Sequence, residues 1–311
     1  MTSTRFRLPM SYETVCTADG RMFLCVGRRV NGFYVENCQR ILSARPFPHP
    51  SHSDFSPDNK KVAVKYTNGR IVILDLSTGN VMRDYKNQRE GEGSEAFFSP
   101  DGQELVDGSW NGLISIRKLS GPGVSTKQFP GEMIDRISHD SHKRSWLIQH
   151  KNKVQPGQKW PDYDYLVLHR WPLFGGKLKV FSFDNYLHSA TISPDGSRIC
   201  FICRLRDGGK WSMQVVRVSD SKIIAINTKI EIGGTGSELA WSTDSNLVGS
   251  VQKRRFVFYR ASDLATLGEL PCQCPSSICF LPKDDLVVLS TWNSSALVSI
   301  SDVLMGNVKM A

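Results

Sequence analysis

The stretch Phe98-Ser99-Pro100-Asp101-Gly102 decides the fold of this 311-residue chain, because one short apolar segment precedes it and another follows it. In such a stretch proline sets φ for the first central position of a turn, aspartate bonds its own backbone, and glycine tolerates positive φ. The stretch therefore predicts a tight turn between two antiparallel strands.

The same turn recurs along the chain. Its clear copies are Phe55-Ser56-Pro57-Asp58 and Ile192-Ser193-Pro194-Asp195-Gly196, and its weaker copies are Thr17-Ala18-Asp19-Gly20, Trp241-Ser242-Thr243-Asp244, Phe280-Leu281-Pro282-Lys283 and Ser138-His139-Asp140-Ser141. With positions 19, 58, 101, 140, 195, 244 and 283 taken as equivalent, the copies lie 39 to 55 residues apart. The repeat therefore accounts for nearly the whole chain.

Each repeat has the sequence pattern of four strands. Around the clearest turn we predict strands at 94–99, 103–110, 113–119 and 124–129, with Asn111-Gly112 as a hairpin turn. Four antiparallel strands in about 40 to 45 residues are typical of a β-propeller blade. The sequence therefore predicts an all-β fold, a seven-bladed β-propeller of four-stranded antiparallel blades.

We expect one domain over residues 1–311, closed into a ring by a last outer strand from either 5–8 or 307–310. The predicted blades are 12–48, 51–88, 94–129, 133–183, 187–229, 237–270 and 275–311. A six-bladed ring with an insert remains an alternative because the fourth unit is weak. Residues 151–163 are too polar and proline-rich for a strand, and they are predicted to interrupt that unit between its second and third strands.

The repeats resemble those of the WD-repeat β-propeller family over the whole chain. The resemblance rests on the Ser-Pro-Asp-Gly turns and on third strands such as 70–76, in which Asp75 stands where the family's Trp-Asp pair ends. No Trp-Asp dipeptide occurs, and the Gly-His pair that opens many family repeats is absent. The resemblance implies the strand order of the family and leaves the subfamily open.

Composition excludes several classes of protein. Hydrophobic residues make up 40% and charged residues 22% of the chain, which is unlike a disordered or fibrous protein. The net charge of +9 favours an acidic partner, such as nucleic acid, an anionic membrane surface or an acidic protein. Residues 1–10 lack the apolar core of a secretory signal, and no apolar run could span a membrane. We therefore expect a cytoplasmic protein, or a nuclear one in a eukaryote, with no membrane partner.

The sequence gives little support for catalysis, metal binding or a cofactor. Cys200 and Cys203 lie three apart in a predicted strand, so their thiols should point to opposite faces. Cys272, Cys274 and Cys279 lack a fourth ligand at zinc-site spacing, and His139-Asp140-Ser141-His142 reads as an ordinary turn. We predict reduced thiols, no metal, no cofactor and no catalytic residues.

The stronger signal is the residue content of the predicted loops between second and third strands, which share one rim of a propeller. They carry eleven basic residues against three aspartates, and four of the seven tryptophans. The blade connectors on the same rim are mostly acidic, so both sets together hold 13 basic and 10 acidic residues. This balance favours a protein-binding face of mixed charge over a nucleic-acid track.

The sequence thus predicts a non-enzymatic protein–protein interaction module, monomeric on its own: an adaptor, assembly subunit or inhibitor, including a toxin-neutralising immunity protein. Its partner is expected to be a protein with an acidic or mixed-charge surface. The alternatives are a propeller that binds nucleic acid or a phospho-ligand, and an enzyme that uses the central channel. The predicted partner-binding residues, centred on the 151–163 insertion, are Trp110, Trp160, Arg204, Arg206, Trp211, Arg254, Arg255 and Trp292.

Overall fold

Seven four-stranded antiparallel sheets form the protein, in a computed structural model that describes residues 6–86, 93–153, 164–175, 177–182, 185–205, 209–232, 238–282, 285–308 and 310. The seven-bladed β-propeller predicted from the sequence is confirmed, and the six-bladed alternative is wrong. Strand order within each sheet follows the chain from the innermost to the outermost strand, except in the sheet that closes the ring.

The chain begins with β1 (Phe6–Leu8). Blade one contains β2 (Glu13–Cys16), β3 (Met22–Val26), β4 (Val30–Tyr34) and β5 (Arg40–Ala44). Blade two contains β6 (Pro50–Phe55), β7 (Lys61–Tyr66), β8 (Ile71–Asp75) and β9 (Val81–Tyr85). Blade three contains β10 (Ala96–Phe98), β11 (Glu104–Gly108), β12 (Leu113–Lys118) and β13 (Val124–Gln128). Blade four contains β14 (Glu132–His139), β15 (Ser145–Asn152), β16 (Tyr165–Arg170) and β17 (Lys177–Ser182). Blade five contains β18 (Asn185–Ile192), β19 (Arg198–Leu205), β20 (Trp211–Arg217) and β21 (Ile223–Asn227).

Blade six contains β22 (Leu239–Trp241), β23 (Leu247–Gln252), β24 (Arg255–Arg260) and β25 (Thr266–Pro271). Blade seven contains β26 (Pro275–Phe280), β27 (Leu286–Thr291) and β28 (Ser295–Ser299). Helical structure in the described residues is limited to a short 3-10 turn, Leu173–Gly175, and α1 (Ile300–Leu304). Several strands reach one or two residues beyond the predicted blade limits, at Pro50, Glu132, Asn185 and Pro271. Backbone groups make the ladder bonds, so polar residues and proline can end a strand.

The second strand of a blade is buried on both faces. In β7, Val62 and Val64 pack with residues of the first blade, whereas Ala63 between them packs with residues of the third. Successive side chains of a strand point to opposite faces, so one apolar run fills two blade interfaces. The outer strand β9, by contrast, is largely exposed.

In five blades the repeated turn is closed by a serine or threonine and an aspartate. Ser99 Oγ donates to Asp101 Oδ1 at 2.6 Å and accepts from the backbone N–H of Glu104 at 2.9 Å, while Gly102 adopts a φ of +68°. The hydrogen bond from Ser99 lowers the pKa of Asp101 below its usual value. Equivalent bonds join Ser56 to Asp58, Ser193 to Asp195, Ser242 to Asp244 and Thr17 to Asp19.

The fourth turn corrects one predicted equivalence. In the repeated turn the backbone N–H of the first residue donates a hydrogen bond to the carbonyl five positions later, as Ser56 does to Lys61. In the fourth blade this hydrogen bond runs from the N–H of Asp140 to the carbonyl of Ser145. Asp140 therefore replaces the serine, and its carboxylate accepts from Ser145 N at 2.9 Å. The residue equivalent to Asp58 is His142, two positions later than the sequence interpretation placed it. That interpretation was misled because aspartate can take either role in a turn.

The N-terminal strand closes the ring. Strand β1 pairs antiparallel with β28, with Phe6 opposite Leu297 and Leu8 opposite Ser295, and so becomes the outer strand of the seventh blade. The alternative closure by residues 307–310 is wrong, because the segment after β28 turns into α1 and its described residues join no sheet. Leu8 is buried at this joint with Phe33 and Leu297.

We expect Leu8→Ala to lower the free energy of unfolding by about 2 to 4 kcal/mol, because it leaves a cavity where the first and seventh blades meet. Arg7→Ala, at an exposed position of the same strand, is the matched control. Urea unfolding monitored by tryptophan fluorescence measures both. Equal stabilities of the two variants would contradict closure by β1.

Ser99→Ala should cost about 1 kcal/mol at pH 7, because both hydrogen bonds of the buried hydroxyl are lost. The pKa of Asp101 is depressed in the folded state, so its contribution to stability is lost as pH falls through that folded pKa. The difference from the parent should therefore shrink in urea unfolding at pH 2.5. Ser120→Ala, at an exposed position, should change stability at neither pH, and a pH-independent Ser99→Ala effect would contradict this account.

Candidate functional site at the channel mouth

One position in or next to the innermost strand is polar in every blade. It lies six residues before the position equivalent to Asp58, and it is occupied by Glu13, His52, Glu95, Arg136, Glu238 and Ser277. In the fifth blade the residue at this offset is Ser189, because the β-bulge between Leu187 and Ser189 matches the bulge between Pro50 and His52 in the second blade. The repeat thus places ionisable residues in successive blades at one level of the ring axis.

A cavity of about 390 Å³ opens beside these residues. Glu13, His52, Glu95, Arg136 and Glu238 line it, so side chains from five different blades meet there. Only the central channel can bring together residues from so many blades. The turn residues Thr67 and Trp292 also line the cavity, which therefore forms the mouth of the channel on the rim carrying the loops between second and third strands. We call this rim the upper face.

The glutamates bind the backbone of the next blade. Glu13 Oε2 accepts from Ser53 N at 2.6 Å, and Glu95 Oε2 accepts from Ile137 N at 2.8 Å. Glu238 accepts in the same way from the backbone N–H of Ile278. In each case the donor directly follows the equivalent residue of the neighbouring blade. The three carboxylates therefore link adjacent blades through one repeated hydrogen bond.

The second partner of each glutamate differs. His52 Nδ1 lies 3.0 Å from Glu13 Oε1, and an Arg136 guanidinium nitrogen lies 3.7 Å from Glu95 Oε1. The corresponding partner of Glu238 is the neutral hydroxyl of Ser277. Glu238 Oε2 is buried and has no hydrogen-bond partner among the described residues. Of the three glutamates at this position, Glu238 is therefore the one whose partner in the next blade is neutral.

The electrostatic environment follows from this arrangement. Burial raises the pKa of Glu238 to about 8 against the opposing charge of Arg136, and burial also raises the pKa of Glu13. Burial disfavours the charged imidazolium of His52 and so acts to lower its pKa. The charge and hydrogen bond of Glu13 outweigh burial and raise the pKa of His52. At neutral pH Glu238 is therefore mostly protonated.

Two aromatic side chains border the cavity. The ring centroids of Tyr12 and Trp292 lie 4.9 Å apart at 57°, and Trp292 is 44% exposed. Trp292 belongs to the turn between β27 and β28, and its backbone N–H donates to Cys274 O at 3.0 Å. A fixed backbone thus holds a large indole beside the channel mouth.

The other predicted site residues are spread round the upper face. Arg204 lies over the ring of Trp211, with 5.0 Å from Cζ to the centroid, in the fifth blade. Trp110 is 40% exposed in the third blade, separated from Trp292 by the first and second blades. Arg254 and Arg255 belong to the sixth blade. Among the predicted site residues in the described ranges, Trp292 lines the channel mouth, and Arg204 and Trp211 contact each other.

Two predicted residues, Trp160 and Arg206, lie outside the described residues, as does most of the 151–163 insertion. Lys151 and Asn152, which were assigned to that insertion, belong to β15 instead. They continue the ladder opposite Met133 and Glu132 through their backbone groups, which polar side chains do not prevent.

Carboxylates neutralise several basic residues of the upper face. Lys151 Nζ lies 3.0 Å from Asp135, Arg70 pairs with Asp84, and Arg255 lies 3.1 Å from Glu269 and 3.7 Å from Glu231. These pairs break up a continuous positive surface, as the mixed charge count in the sequence indicates.

The cysteines occupy structural positions. Cys200 and Cys203 pack into different clusters on opposite faces of β19, as predicted. Cys272 and Cys279 are buried, and Cys274 is exposed. Over the described ranges, no three His, Cys, Asp or Glu residues form a group suited to a metal ion, and no helix is long and apolar enough to cross a bilayer.

The opposite mouth of the channel has different chemistry. Its cavity of about 550 Å³ is bordered by the turn prolines Pro57, Pro100, Pro194 and Pro282. Lys143 crosses toward the second blade, and its ammonium lies 2.5 Å from Asp54 and 3.1 Å from Phe98 O. This mouth is therefore mainly apolar, and its lysine is already paired.

The sequence did not single out Glu13, His52 and Arg136, and Glu95 and Glu238 stood out only as connector charges. A signal was present, since these residues stand at one fixed offset before the repeated turn. For Arg136 the offset becomes visible only when His142 is aligned with Asp58, which requires the backbone hydrogen bonds of the fourth turn.

We expect Glu238→Gln to become more stabilising relative to the parent as pH rises from 5 to 9. Between the usual glutamate pKa of 4.5 and about 8, the folded parent retains a proton that the unfolded chain has released, so its stability falls with rising pH. Glutamine resembles the protonated acid and does not titrate. Melting temperatures measure the effect, with Glu36→Gln in an exposed turn as control. Parallel pH profiles of parent and Glu238→Gln would contradict the raised pKa.

Comparisons with known proteins support the fold. No protein-family model matches the chain. A 90-residue stretch is 32% identical to human echinoderm microtubule-associated protein-like 3, and it covers 29% of this chain but only 10% of that protein. The chain thus matches a small part of that relative.

Two solved structures are similar over nearly their whole length. Hydrazine synthase of Kuenenia stuttgartiensis superposes with a TM-score of 0.75 at 11% identity, covering 94% of this chain and 96% of that one. The Cps50 (Swd1) β-propeller domain of Myceliophteria thermophila gives 0.72 at 9% identity, covering 96% and 98%. At such identities the likeness shows the fold alone. With the seven four-stranded blades, these similarities confirm the resemblance to WD-repeat-like propellers.

Proposed function

We propose that this protein is a non-enzymatic interaction module that binds a protein partner on its upper face. The observation that carries the proposal is the combination on that face of an axial cavity, partly exposed tryptophans and residues of both charges. Tryptophan and arginine are enriched at the energetic centres of protein interfaces. A module of this kind acts as an adaptor, an assembly subunit or an inhibitor.

The propeller frame supports binding without chemistry. The turns of the upper face are short in most blades, and their ends are fixed in the strands, as in the turn of Trp292. A preformed surface loses little conformational entropy on association, so a few anchors give useful affinity. We further propose that the chain is a cytoplasmic monomer in its unbound state, as its composition suggests.

The ion pairs favour protein over nucleic acid as the partner. A nucleic-acid track presents one sign of charge along the phosphate backbone, whereas Arg70, Lys151 and Arg255 each face a carboxylate here. A protein surface of mixed charge is complementary to such a pattern.

To test this proposal, a partner is captured from native extract and purified. Its affinity for single variants of this protein is then measured. We expect Trp292→Ala to weaken binding about tenfold or more, because the indole borders the central cavity. Trp110→Ala and Arg204→Ala test the predicted residues further from the axis. Ile226→Ala on an outer strand and Pro57→Ala at the opposite mouth are matched controls.

Each outcome decides between binding surfaces. Loss of affinity in the Ile226 or Pro57 variant, with the upper-face variants within about twofold of the parent, would mean that another surface binds the partner. Oligonucleotide binding with a steep salt dependence would instead support the nucleic-acid alternative.

A further inference from the structure

Glu238 breaks the charge pattern of the channel mouth. At this position Glu13 faces His52 and Glu95 faces Arg136, so a basic side chain in the next blade offsets each carboxylate. Glu238 faces Ser277, and its buried Oε2 lacks a hydrogen-bond partner within the described residues. A buried carboxyl oxygen without a partner carries a desolvation cost, which a cation at this place would offset.

The groups around Glu238 come from several blades. They are Arg136 on β14, Glu13 on β2, and the hydroxyl of Ser277 with the N–H of Ile278 on β26. Glu95, Asp135 and Glu13 also stabilise the positive charge of Arg136. Arg136 is therefore shared among several carboxylates, and the surroundings of Glu238 can accept a further positive charge.

Aromatic rings border the same cavity. Trp292 is 44% exposed and lies against Tyr12, and both side chains line the cavity together with Glu238. The face of an indole attracts cations, and tryptophan does so more strongly than the other aromatic residues. An anion would meet the carboxylates of Glu13 and Glu95 in the same cavity, which disfavours it.

We propose that the channel mouth binds a cationic side chain of the protein partner, with its ammonium or guanidinium group between the face of Trp292 and the carboxylate of Glu238. This inference rests on the proposed function, since it names the chemistry of the group inserted into the upper face. The cavity of about 390 Å³ is large enough for one lysine or arginine side chain.

Binding of the cation is coupled to loss of a proton. The carboxylic acid of Glu238 releases its proton to the solvent, and the resulting carboxylate pairs with the cation. Because the carboxyl is mostly protonated below about pH 8, affinity should increase as pH rises from 6.5 to 9. His52, whose pKa the charge and hydrogen bond of Glu13 raise, is a second titratable group of the same cavity.

The test uses Nα-acetyl-arginine methylamide and Nα-acetyl-lysine methylamide as probes. The neutral norleucine and the anionic glutamate derivatives are the controls. Binding is followed by the NMR signal of the Trp292 indole N–H, which is assigned with Trp292→Phe, and binding by Trp292→Ala is measured by titration calorimetry. We expect saturable shifts with the two cationic probes only, and about tenfold weaker binding by Glu238→Gln and Trp292→Ala. Glu36→Gln should bind like the parent.

The pH dependence gives a second readout. The parent should bind the arginine probe more tightly at pH 9 than at pH 6.5, and Glu238→Gln should lose most of this dependence. Equal shifts with the norleucine or glutamate probe, no shift with the arginine probe, or unchanged binding by folded Glu238→Gln would each overturn the inference.

The two proposals fail in different ways. If the purified partner loses affinity for Trp292→Ala while the cationic probes do not bind, the upper face is the binding surface and the cation site is wrong. If the probes bind as expected but the partner is insensitive to every upper-face variant, the cation site stands alone and its assignment to the partner is overturned.

Discussion

The innermost strand of every blade has one edge toward the central channel, where no further strand can satisfy its backbone N–H groups. A buried N–H without an acceptor is costly, so side chains of the preceding blade supply the acceptors. Ser277 does so for Thr14, Glu13 for Ser53, Asp54 for Phe98, Glu95 for Ile137, Asp164 for Leu187 and Glu238 for Ile278. Each blade is narrowest beside the central channel, and these hydrogen bonds join neighbouring blades there. The closing pair of β1 and β28 completes the ring that they hold together.

The candidate site is a consequence of this constraint. Carboxylates that bind backbone N–H groups are drawn to the axis, and their second oxygens then require partners in a confined space. His52 and Arg136 provide such partners for Glu13 and Glu95, and both glutamates are explained by the architecture alone. Glu238 is explained only in part, because one of its oxygens has no hydrogen-bond partner in the part of the chain that the structure describes. The same polar ring that stabilises the propeller therefore contains the site that we propose for a cationic ligand.

The sequence predicted the repeat and the blade because turn chemistry is local. Ser99, Asp101 and Gly102 determine their turn through bonds within a few residues, and the apolar run of β7 reflects burial on both faces. Ring closure depends on contacts between the two ends of the chain, so the sequence left two alternatives open. The channel residues meet only after all blades have assembled, and no local pattern shows that Glu238 and Trp292 share a cavity. The loop-based prediction included Trp292 because tryptophan and arginine are enriched at binding surfaces, but loop composition does not show which residues reach the channel mouth.

The most direct test of the account is a structure of the protein bound to a purified partner. The account predicts that the partner covers the upper face and places a lysine or arginine nitrogen within hydrogen-bonding distance of Glu238, with the indole of Trp292 against the cation. A partner seated on the proline-lined mouth or on the outer strands, with the channel mouth uncovered, would contradict it.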